Sequence, residues 1–261
     1  MSAKIIALCN QKGGCAKTTT VISLATGLAR RGKRVLVVDF DPQANCTQGF
    51  GFNEPDELEF TMYDIMKSVI DGEELPYIHD CILKTEGIDL LPSSIELASI
   101  ENLLINTMTR ESKLKKFLTP LREDYDYILI DTMPSLGMLV INALVASDSV
   151  IIPVQAHYFS AKGVELLIKT VAKVRQDLNP NLAVDGILIT MIQANTDLGK
   201  LISKAIRDTY EKRFNVYDSE IPYSIKAAET SAYGVSLFSF KPSNRAAQVY
   251  EEFITEVANG K

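Results

Sequence analysis

The 261-residue chain carries 27 Lys and Arg side chains against 33 Asp and Glu side chains, which gives a formal net charge of −6. Hydrophobic residues make up 46% and charged residues 23% of the sequence, and both fractions are typical of a folded globular protein. These numbers exclude a disordered polymer, a collagen-like fibre and a membrane-embedded protein. The acidic balance also argues against a cationic DNA-coating surface, although it permits one local basic face.

Apolar runs rich in β-branched residues alternate with helical patterns along the chain. The run at 5–8 predicts a first strand, residues 17–31 predict a helix that Gly32 ends, and residues 34–39 predict a second strand. Further strands are predicted at 88–91, 127–131, 149–154 and 184–190, and further helices at 94–106, 112–122, 135–146, 161–177, 196–213 and 243–257. This alternation predicts an α/β fold, a mostly parallel twisted sheet with helices on both faces.

The sequence contains no repeat, low-complexity tract or Pro/Gly/Ser-rich linker, which predicts a single domain over residues 1–261. Its least regular stretch, residues 49–85, is acidic, and we expect a solvated excursion with a short helix near 62–70. The four cysteines form no CxxC pair, which favours buried thiols in a reducing compartment. The N-terminal apolar run is too short for a signal peptide, so we expect a cytoplasmic protein.

The strongest local signal is the loop between the first strand and the first helix, residues 11–19 with the sequence QKGGCAKTT. Such a loop directs backbone N–H groups at an anion, and the helix N-terminus adds a partial positive charge. Gly13 and Gly14 would let the backbone approach phosphate oxygens. Lys17 would reach the β- and γ-phosphates, and the Thr18 hydroxyl would contact Mg²⁺. The sequence therefore predicts a phosphate-binding loop.

The strict P-loop pattern GxxxxGK[ST] is not met, because Gln11 and Ala16 stand where it requires glycine. The alternative is a glycine-rich turn with chance lysines. Two acidic sites favour the phosphate loop. The segment DFDPQ at 39–43 closes the second strand, and Asp131 closes the strand at 127–131. An aspartate at a strand end beside a phosphate loop can hold Mg²⁺ through water, although each one alone is more often a helix cap or a turn residue.

Three motifs together resemble those of the ParA family, the deviant-P-loop ATPases that partition plasmids, chromosomes and other cargo. The motifs are KGGCAKTTT at 12–20, VVDFDPQ at 37–43 and LIDTMPSLG at 129–137. The similarity continues through 151–167, 186–191, 221–234 and 244–257, so it spans nearly the whole chain. It implies a P-loop NTPase fold with a deviant Walker A motif, and an enzyme that hydrolyses ATP to ADP and phosphate with Mg²⁺.

The resemblance assigns roles residue by residue. Lys12 matches the extra lysine that reaches the nucleotide of the partner subunit in an ATP-bound homodimer. Lys17 matches the phosphate lysine in cis, and Asp41 matches the residue that orients the attacking water, so Lys12, Lys17 and Asp41 are the implied catalytic residues. The implied ATP-binding residues are Lys12, Gly13, Gly14, Cys15, Ala16, Lys17, Thr18, Thr19 and Pro222. Thr18 would bind Mg²⁺ directly, whereas Asp131 and Asp41 would act through water.

The chain departs from the family pattern at several positions. Ala16 replaces the glycine before the phosphate lysine, and Met133 replaces a common proline. Tyr223 and Lys226 occupy positions where the family often carries arginine near its DNA-binding face. The candidate DNA-binding residues here are Lys200, Lys204, Arg207, Lys226 and Arg245. A helical spacing puts the first three on one face, and a solvated helix face is the alternative.

The resemblance implies non-specific DNA and a ParB-like adaptor as partners, with a cytoplasmic, nucleoid-associated location. About ten residues precede the loop, which indicates the short type without an N-terminal helix-turn-helix. The last predicted helix carries Glu251, Glu252 and Glu256, and because anionic lipid repels such a face, no membrane attachment is expected. The alternatives are a MinD-like or other cargo-positioning ATPase, or a small-molecule kinase or ligase on the same fold.

Overall fold

Eight strands form one sheet within residues 2–75, 77–156 and 161–260, the part of the chain that this computed structural model describes. The strands are β1 (Lys4–Leu8), β2 (Val35–Phe40), β3 (Leu83–Thr85), β4 (Ile88–Leu91), β5 (Tyr127–Thr132), β6 (Ser149–Gln155), β7 (Ala183–Ile192) and β8 (Val216–Pro222). Their order in the sheet is β3-β4-β2-β5-β1-β6-β7-β8. Neighbouring strands pair in parallel, except for the antiparallel pair β3–β4.

Helices connect these strands. In chain order they are α1 (Lys17–Arg30), α2 (Asn45–Gly49), α3 (Met62–Asp71), α4 (Ile78–Cys81), α5 (Ile100–Leu104), α6 (Lys113–Leu121), α7 (Met138–Ala146), α8 (Ala161–Asp177), α9 (Asp197–Tyr210), α10 (Ile225–Tyr233), α11 (Leu237–Phe240) and α12 (Arg245–Ala258). Several begin at a side-chain cap: the Thr196 hydroxyl accepts from the backbone N–H of Gly199 at α9, and the Asn244 side chain accepts from that of Ala246 at α12.

Two hydrophobic cores lie on opposite faces of the sheet. Successive side chains of β1 alternate between them, with Ile5 in one core and Ile6 in the other, as the two-residue period of a strand requires. Helices α3, α5, α6, α7, α8 and α9 cover the first core, and α1, α11 and α12 cover the second. The four cysteines are buried free thiols. The predicted mostly parallel sheet with helices on both faces is confirmed.

Some boundaries differ from the predicted ones. The helix predicted at 94–106 is a 3₁₀ turn, Ile95–Ser99, followed by the short α5. The helix predicted at 135–146 begins only at Met138. The sequence pattern missed β3, which has three residues, and β8, whose sequence VYDSEIP carries polar residues because it lies at the sheet edge.

The acidic stretch at 49–85 is not simply a solvated excursion. The predicted short helix is present as α3, with Thr61 and Asp64 in a capping box at its start. Its apolar side chains Met62, Ile65 and Met66 are buried in the core. The expectation of a solvated segment is therefore wrong for this helix, because only its outer side, with Lys67 and Asp71, is exposed. Within the described residues no helix is long and apolar enough to cross a membrane.

Candidate nucleotide site

The strand register brings the predicted motifs to one edge of the sheet. In the central strands, Leu8 of β1 pairs with Asp131 of β5, and Asp131 pairs on its other side with Asp39 of β2. The loop of residues 9–16 follows β1 directly and leads into α1. Because the carboxyl ends of parallel strands are where ligands bind in such sheets, the glycine-rich loop and both acidic motifs share one site.

Contacts from neighbouring strands hold this loop in shape. The Asn10 amide donates to the carbonyl of Pro153 on β6 at 2.6 Å, and the Asn10 Oδ1 accepts from the backbone N–H of Lys12 at 2.9 Å. The Thr190 hydroxyl of β7 donates to the carbonyl of Cys15 at 3.0 Å. Gly14 has a φ of 69°, a left-handed conformation that glycine adopts without cost. A Cβ built on it meets no atom within 4 Å, so the space beside it is open.

Ala16 stands at the junction of the loop and α1 with a φ of 64° and a ψ of 31°. For a residue with a Cβ this left-handed conformation costs roughly 1–2 kcal/mol. Ala16 therefore adopts, at the cost of local strain, a conformation that glycine would adopt without it.

Replacing Ala16 with glycine should remove this strain. We expect Ala16→Gly to raise the free energy of unfolding by about 0.5–1 kcal/mol, because part of the relief is offset by the greater entropy of glycine in the unfolded chain. Urea denaturation measures this free energy of unfolding. The control is Ala25→Gly within α1, which should destabilise by about 1 kcal/mol or more. Loss of stability in both variants would contradict a strained Ala16.

Lys17 and Thr18 begin α1 and face the aspartate of β5. The Lys17 side chain is buried, and its Nζ donates to the carbonyl of Lys12 at 3.5 Å. The Thr18 hydroxyl donates to Oδ2 of Asp131 at 2.7 Å. The other oxygen of that carboxyl, Oδ1, is buried and has no hydrogen-bond partner within the described residues. An unused buried acceptor beside a threonine hydroxyl and a lysine fits the oxygen-rich surroundings of a Mg²⁺–phosphate complex.

Burial raises the pKa of Asp131 to about 8, and the neighbouring charge of Asp39 adds to this rise. The hydrogen bond from Thr18 and the charge of Lys17 act in the opposite direction. Since an ordinary aspartate has a pKa near 3.9, folding raises the proton affinity of this carboxyl. Its contribution to stability is therefore present at low pH and is lost as the pH rises towards 8.

Asp131→Asn should make the nucleotide-free protein less sensitive to alkaline pH, since asparagine stays neutral. We expect the Tm of the variant, relative to wild type, to increase steadily from pH 5 to pH 9. Calorimetry at several pH values tests this, with Asp71→Asn on the exposed end of α3 as the matched control. Parallel Tm curves for wild type and Asp131→Asn would show that Asp131 does not titrate in this range.

Asp41 lies just beyond β2 and is largely buried, with 7% exposure. Its Oδ1 accepts from the backbone N–H of Gln43 at 3.0 Å. Asp39, two residues earlier, is fully buried and accepts from the backbone N–H of Asp41 at 3.3 Å. Sequence reasoning placed Asp39 in the same acidic segment as Asp41 but gave it no role of its own. The available signal was a carboxylate inside an otherwise apolar strand, in the middle of the sequence VVDFD at 37–41.

Lys12 turns back onto its own subunit. Its Nζ donates to Oε1 of Gln155, at the end of β6, at 2.8 Å. Cys15 supports the same turn through its thiol, which donates to the carbonyl of Lys12 at 3.3 Å. Burial raises the pKa of the Cys15 thiol, so it stays protonated at neutral pH. Thr19 is half-buried in the first turn of α1.

Pro222 is the last residue of β8 and pairs with Ile192 of β7. It lines a cleft of about 620 Å³ together with residues 193–196 and Tyr223. Residues 157–160, part of one ParA-like segment, lie outside the described residues.

The predicted DNA-binding residues differ in their surroundings. Lys200 and Lys204 are exposed on α9, and neither has an ion pair within the described residues. Arg207, in contrast, is partly buried and paired with Glu211 at 2.9 Å and with Glu220 of β8 at 3.0 Å. It also donates to the carbonyl of Tyr217, so its contacts stabilise the packing of α9 on β8.

The other two candidates also have intramolecular partners. Lys226 pairs with Glu229 at 2.6 Å, and Arg245 pairs with Glu252 at 3.4 Å. Both pairs are exposed, so they contribute little stability and can exchange for other anions.

Known proteins resemble this chain over most of its length. A family profile described as an AAA domain matches residues 3–184. The sporulation initiation inhibitor protein Soj of Bacillus subtilis (strain 168) is 42% identical over 255 residues, which cover 98% of this chain and 98% of Soj. The chromosome partitioning protein ParA of Caulobacter vibrioides (strain NA1000) is 35% identical over 258 residues, covering 97% and 93% of the two chains. The chain belongs to the ParA family of ATPases.

Solved structures support the family fold. A cobyrinic acid a,c-diamide synthase from Mycobacterium smegmatis, solved with an ATP analogue and magnesium, has a TM-score of 0.85 and 32% identity. The alignment covers 98% of this chain and 95% of that one. The ParA-family chain thus shares a P-loop NTPase fold with a protein crystallised with the expected nucleotide and metal.

Proposed function

We propose that this ParA-family ATPase partitions DNA or another cargo by an ATP-driven cycle of dimerisation. The observation that carries the proposal is the arrangement at the sheet edge: a loop with open space beside Gly14, a buried lysine at its end, and the Thr18–Asp131 hydrogen bond. Backbone N–H groups of the loop and Lys17 would bind the phosphates of ATP.

Mg²⁺, when bound, would neutralise phosphate charge. The Thr18 hydroxyl would hold it directly, and the unpartnered Oδ1 of Asp131 would accept from a water of its shell. Asp41, which borders the same edge, would orient the attacking water. Pro222 would lie against the adenine ring.

Lys12 would act at the interface of the dimer. Two facing triphosphates repel each other, so an ammonium from each subunit must lie between them. In a two-fold dimer each copy supplies the same lysine to the other. Lys12 would leave Gln155 and reach the nucleotide of the partner subunit. This proposal makes ATP binding, and not ADP binding, the signal for assembly.

The ATP-bound dimer would bind DNA without sequence preference through Lys200 and Lys204, with Lys226 and Arg245 exchanging their exposed carboxylate partners for phosphates. A ParB-like adaptor would then stimulate hydrolysis and release the subunits. Such a protein would be found on the nucleoid while it holds ATP. We assign Arg207 mainly to the contact between α9 and β8, because its guanidinium already has two carboxylate partners.

The deciding experiment combines sedimentation and ATPase rates with ADP, ATP or a non-hydrolysable ATP analogue, each with and without plasmid DNA. We expect ATP and the analogue, but not ADP, to give a dimer that co-sediments with DNA. The alternative function is a small-molecule kinase or ligase, which the similarity to the cobyrinic acid a,c-diamide synthase of Mycobacterium smegmatis favours. It predicts no ATP-driven dimer and no effect of DNA.

Charge reversal on α9 tests the DNA face. Lys200→Glu with Lys204→Glu should weaken DNA binding and reduce the slope of log K against log salt by about 2, since each phosphate contact contributes about 0.9. Gel shifts at several salt concentrations measure the slope. Lys115→Glu with Lys116→Glu on exposed positions of α6 makes the same charge change elsewhere. Equal losses in both double variants would mean that net charge, and not this face, governs binding.

A further inference from the structure

Asp39 is a fully buried acidic residue on β2, at the edge of the sheet that carries the nucleotide site, and no role has been assigned to it above. It lies on β2 opposite Asp131 of β5. Its carboxylate has no cationic partner within the described part of the chain; its hydrogen bonds come from Asp41 and Thr47. Burying a carboxylate without a neighbouring cation costs free energy. The hydrogen bonds that Asp39 accepts therefore indicate what the residue does.

These contacts join the two ends of the segment that carries Asp41. The Oδ1 of Asp39 accepts from the backbone N–H of Asp41 at 3.3 Å. The Oδ2 accepts from both the backbone N–H of Thr47 at 2.8 Å and its hydroxyl at 2.7 Å. One carboxylate therefore connects residue 41 to α2, and three donors occupy three of its roughly four acceptor positions.

Thr47 extends this connection to the next strand. Its hydroxyl, while donating to Asp39, accepts from the backbone N–H of Ser93 at 3.0 Å, just beyond β4. The segment between 41 and 47 contains Ala44 with a φ of 50°, a conformation that needs support from its surroundings. The turn is thus held from β2 at one end and from β4 at the other.

We propose that Asp39 is a positioning residue for ATP hydrolysis, which fixes the direction of the Asp41 carboxylate by bridging the Asp41 backbone and Thr47. This inference rests on the proposed role of Asp41. An asparagine at position 39 keeps the size of the side chain but replaces one acceptor oxygen by an NH₂ group. The new NH₂ group would therefore point at a group that is itself a donor, either a backbone N–H or the Thr47 hydroxyl. Since two donors cannot bond to each other, the turn must shift.

A small displacement of a water-orienting group is enough to slow the chemistry. We expect Asp39→Asn to lower kcat on the order of 10- to 100-fold. The Kd for a fluorescent ATP analogue with Mg²⁺ should stay within about threefold of wild type, because within the described residues no hydrogen bond joins Asp39 to the phosphate loop. In an Asp41→Ala background the same substitution should change the rate less than about twofold, since residues that act as one unit are not additive.

Thr47 supplies a second, independent pair of variants. Thr47→Val removes the hydroxyl donor at nearly constant volume and should lower kcat, whereas Thr47→Ser retains the hydroxyl and should restore most of it. If Thr47 had a purely structural role, both variants would change in thermal stability without this difference in kcat between them. If Asp39→Asn does not fold, as judged by circular dichroism, the Thr47 pair decides the question.

The outcomes separate this inference from the proposed function. If Asp41→Ala alone hydrolyses ATP at the wild-type rate, the proposed role of Asp41 fails. If Asp41→Ala is slow but Asp39→Asn, or Thr47→Val where Asp39→Asn does not fold, turns over normally, only the positioning role of Asp39 fails. If the losses of ATPase rate are additive in the double variant that combines Asp39→Asn with Asp41→Ala, the positioning role is likewise overturned. Additivity would show that Asp39 acts through a group other than Asp41.

Discussion

Lys12→Ala is expected to abolish ATP-dependent dimerisation while leaving ATP binding to the monomer largely intact. The proposed dimer contains the Lys12–phosphate contact twice, because its two-fold axis repeats every interface contact. At about 1.5–3 kcal/mol for each charge-assisted contact, the two losses would weaken the dimer on the order of 10²- to 10⁴-fold. Light scattering and sedimentation with a non-hydrolysable ATP analogue measure the loss.

Two comparisons make this prediction specific. Lys33→Ala removes an exposed lysine just before β2 and should dimerise like wild type. Lys17→Ala should lose nucleotide binding itself, since that buried side chain ends the phosphate loop. A Lys12→Ala protein that still dimerises with the analogue would show that the cis contact with Gln155, and not a trans contact with nucleotide, is the function of this lysine.

The nucleotide site was predictable from sequence where its chemistry is local. The two glycines, Lys17 and Thr18 are consecutive or nearly so, and their spacing alone places them between a strand and a helix. The contact between Thr18 and Asp131 joins residues 113 positions apart. The family resemblance assigned both residues to one Mg²⁺ site, but their direct hydrogen bond was not predicted.

Other parts of the site depend on packing that no local pattern encodes. Arg207 matched the spacing of a basic helix face, yet Glu220 of β8 pairs with it. That strand was not predicted, because polar residues interrupt its apolar pattern. Asp39 is similar. Its partner Thr47 accepts in turn from Ser93, and these residues become neighbours only when α2 and the end of β4 meet at β2.

Asp41→Ala is expected to slow ATP hydrolysis by about 10²- to 10³-fold, the usual contribution of a group that positions or activates water. Oδ1 of Asp41 accepts from the backbone N–H of Gln43, whereas Oδ2 makes no hydrogen bond within the described residues. The carboxylate therefore has one oxygen held by the turn and one available to a water. Phosphate release under saturating ATP measures the rate, and Asp71→Ala is the control for loss of a carboxylate.

The same variant should separate assembly from turnover. Because Lys12, Lys17 and Thr18 are unchanged, Asp41→Ala should still bind ATP and form the dimer, and it should remain on DNA longer than wild type since hydrolysis releases the subunits. A slow variant that dissociates from DNA at the wild-type rate would mean that nucleotide exchange, and not hydrolysis, ends the bound state. In that case Asp41 would set the energy consumption of the cycle but not its timing.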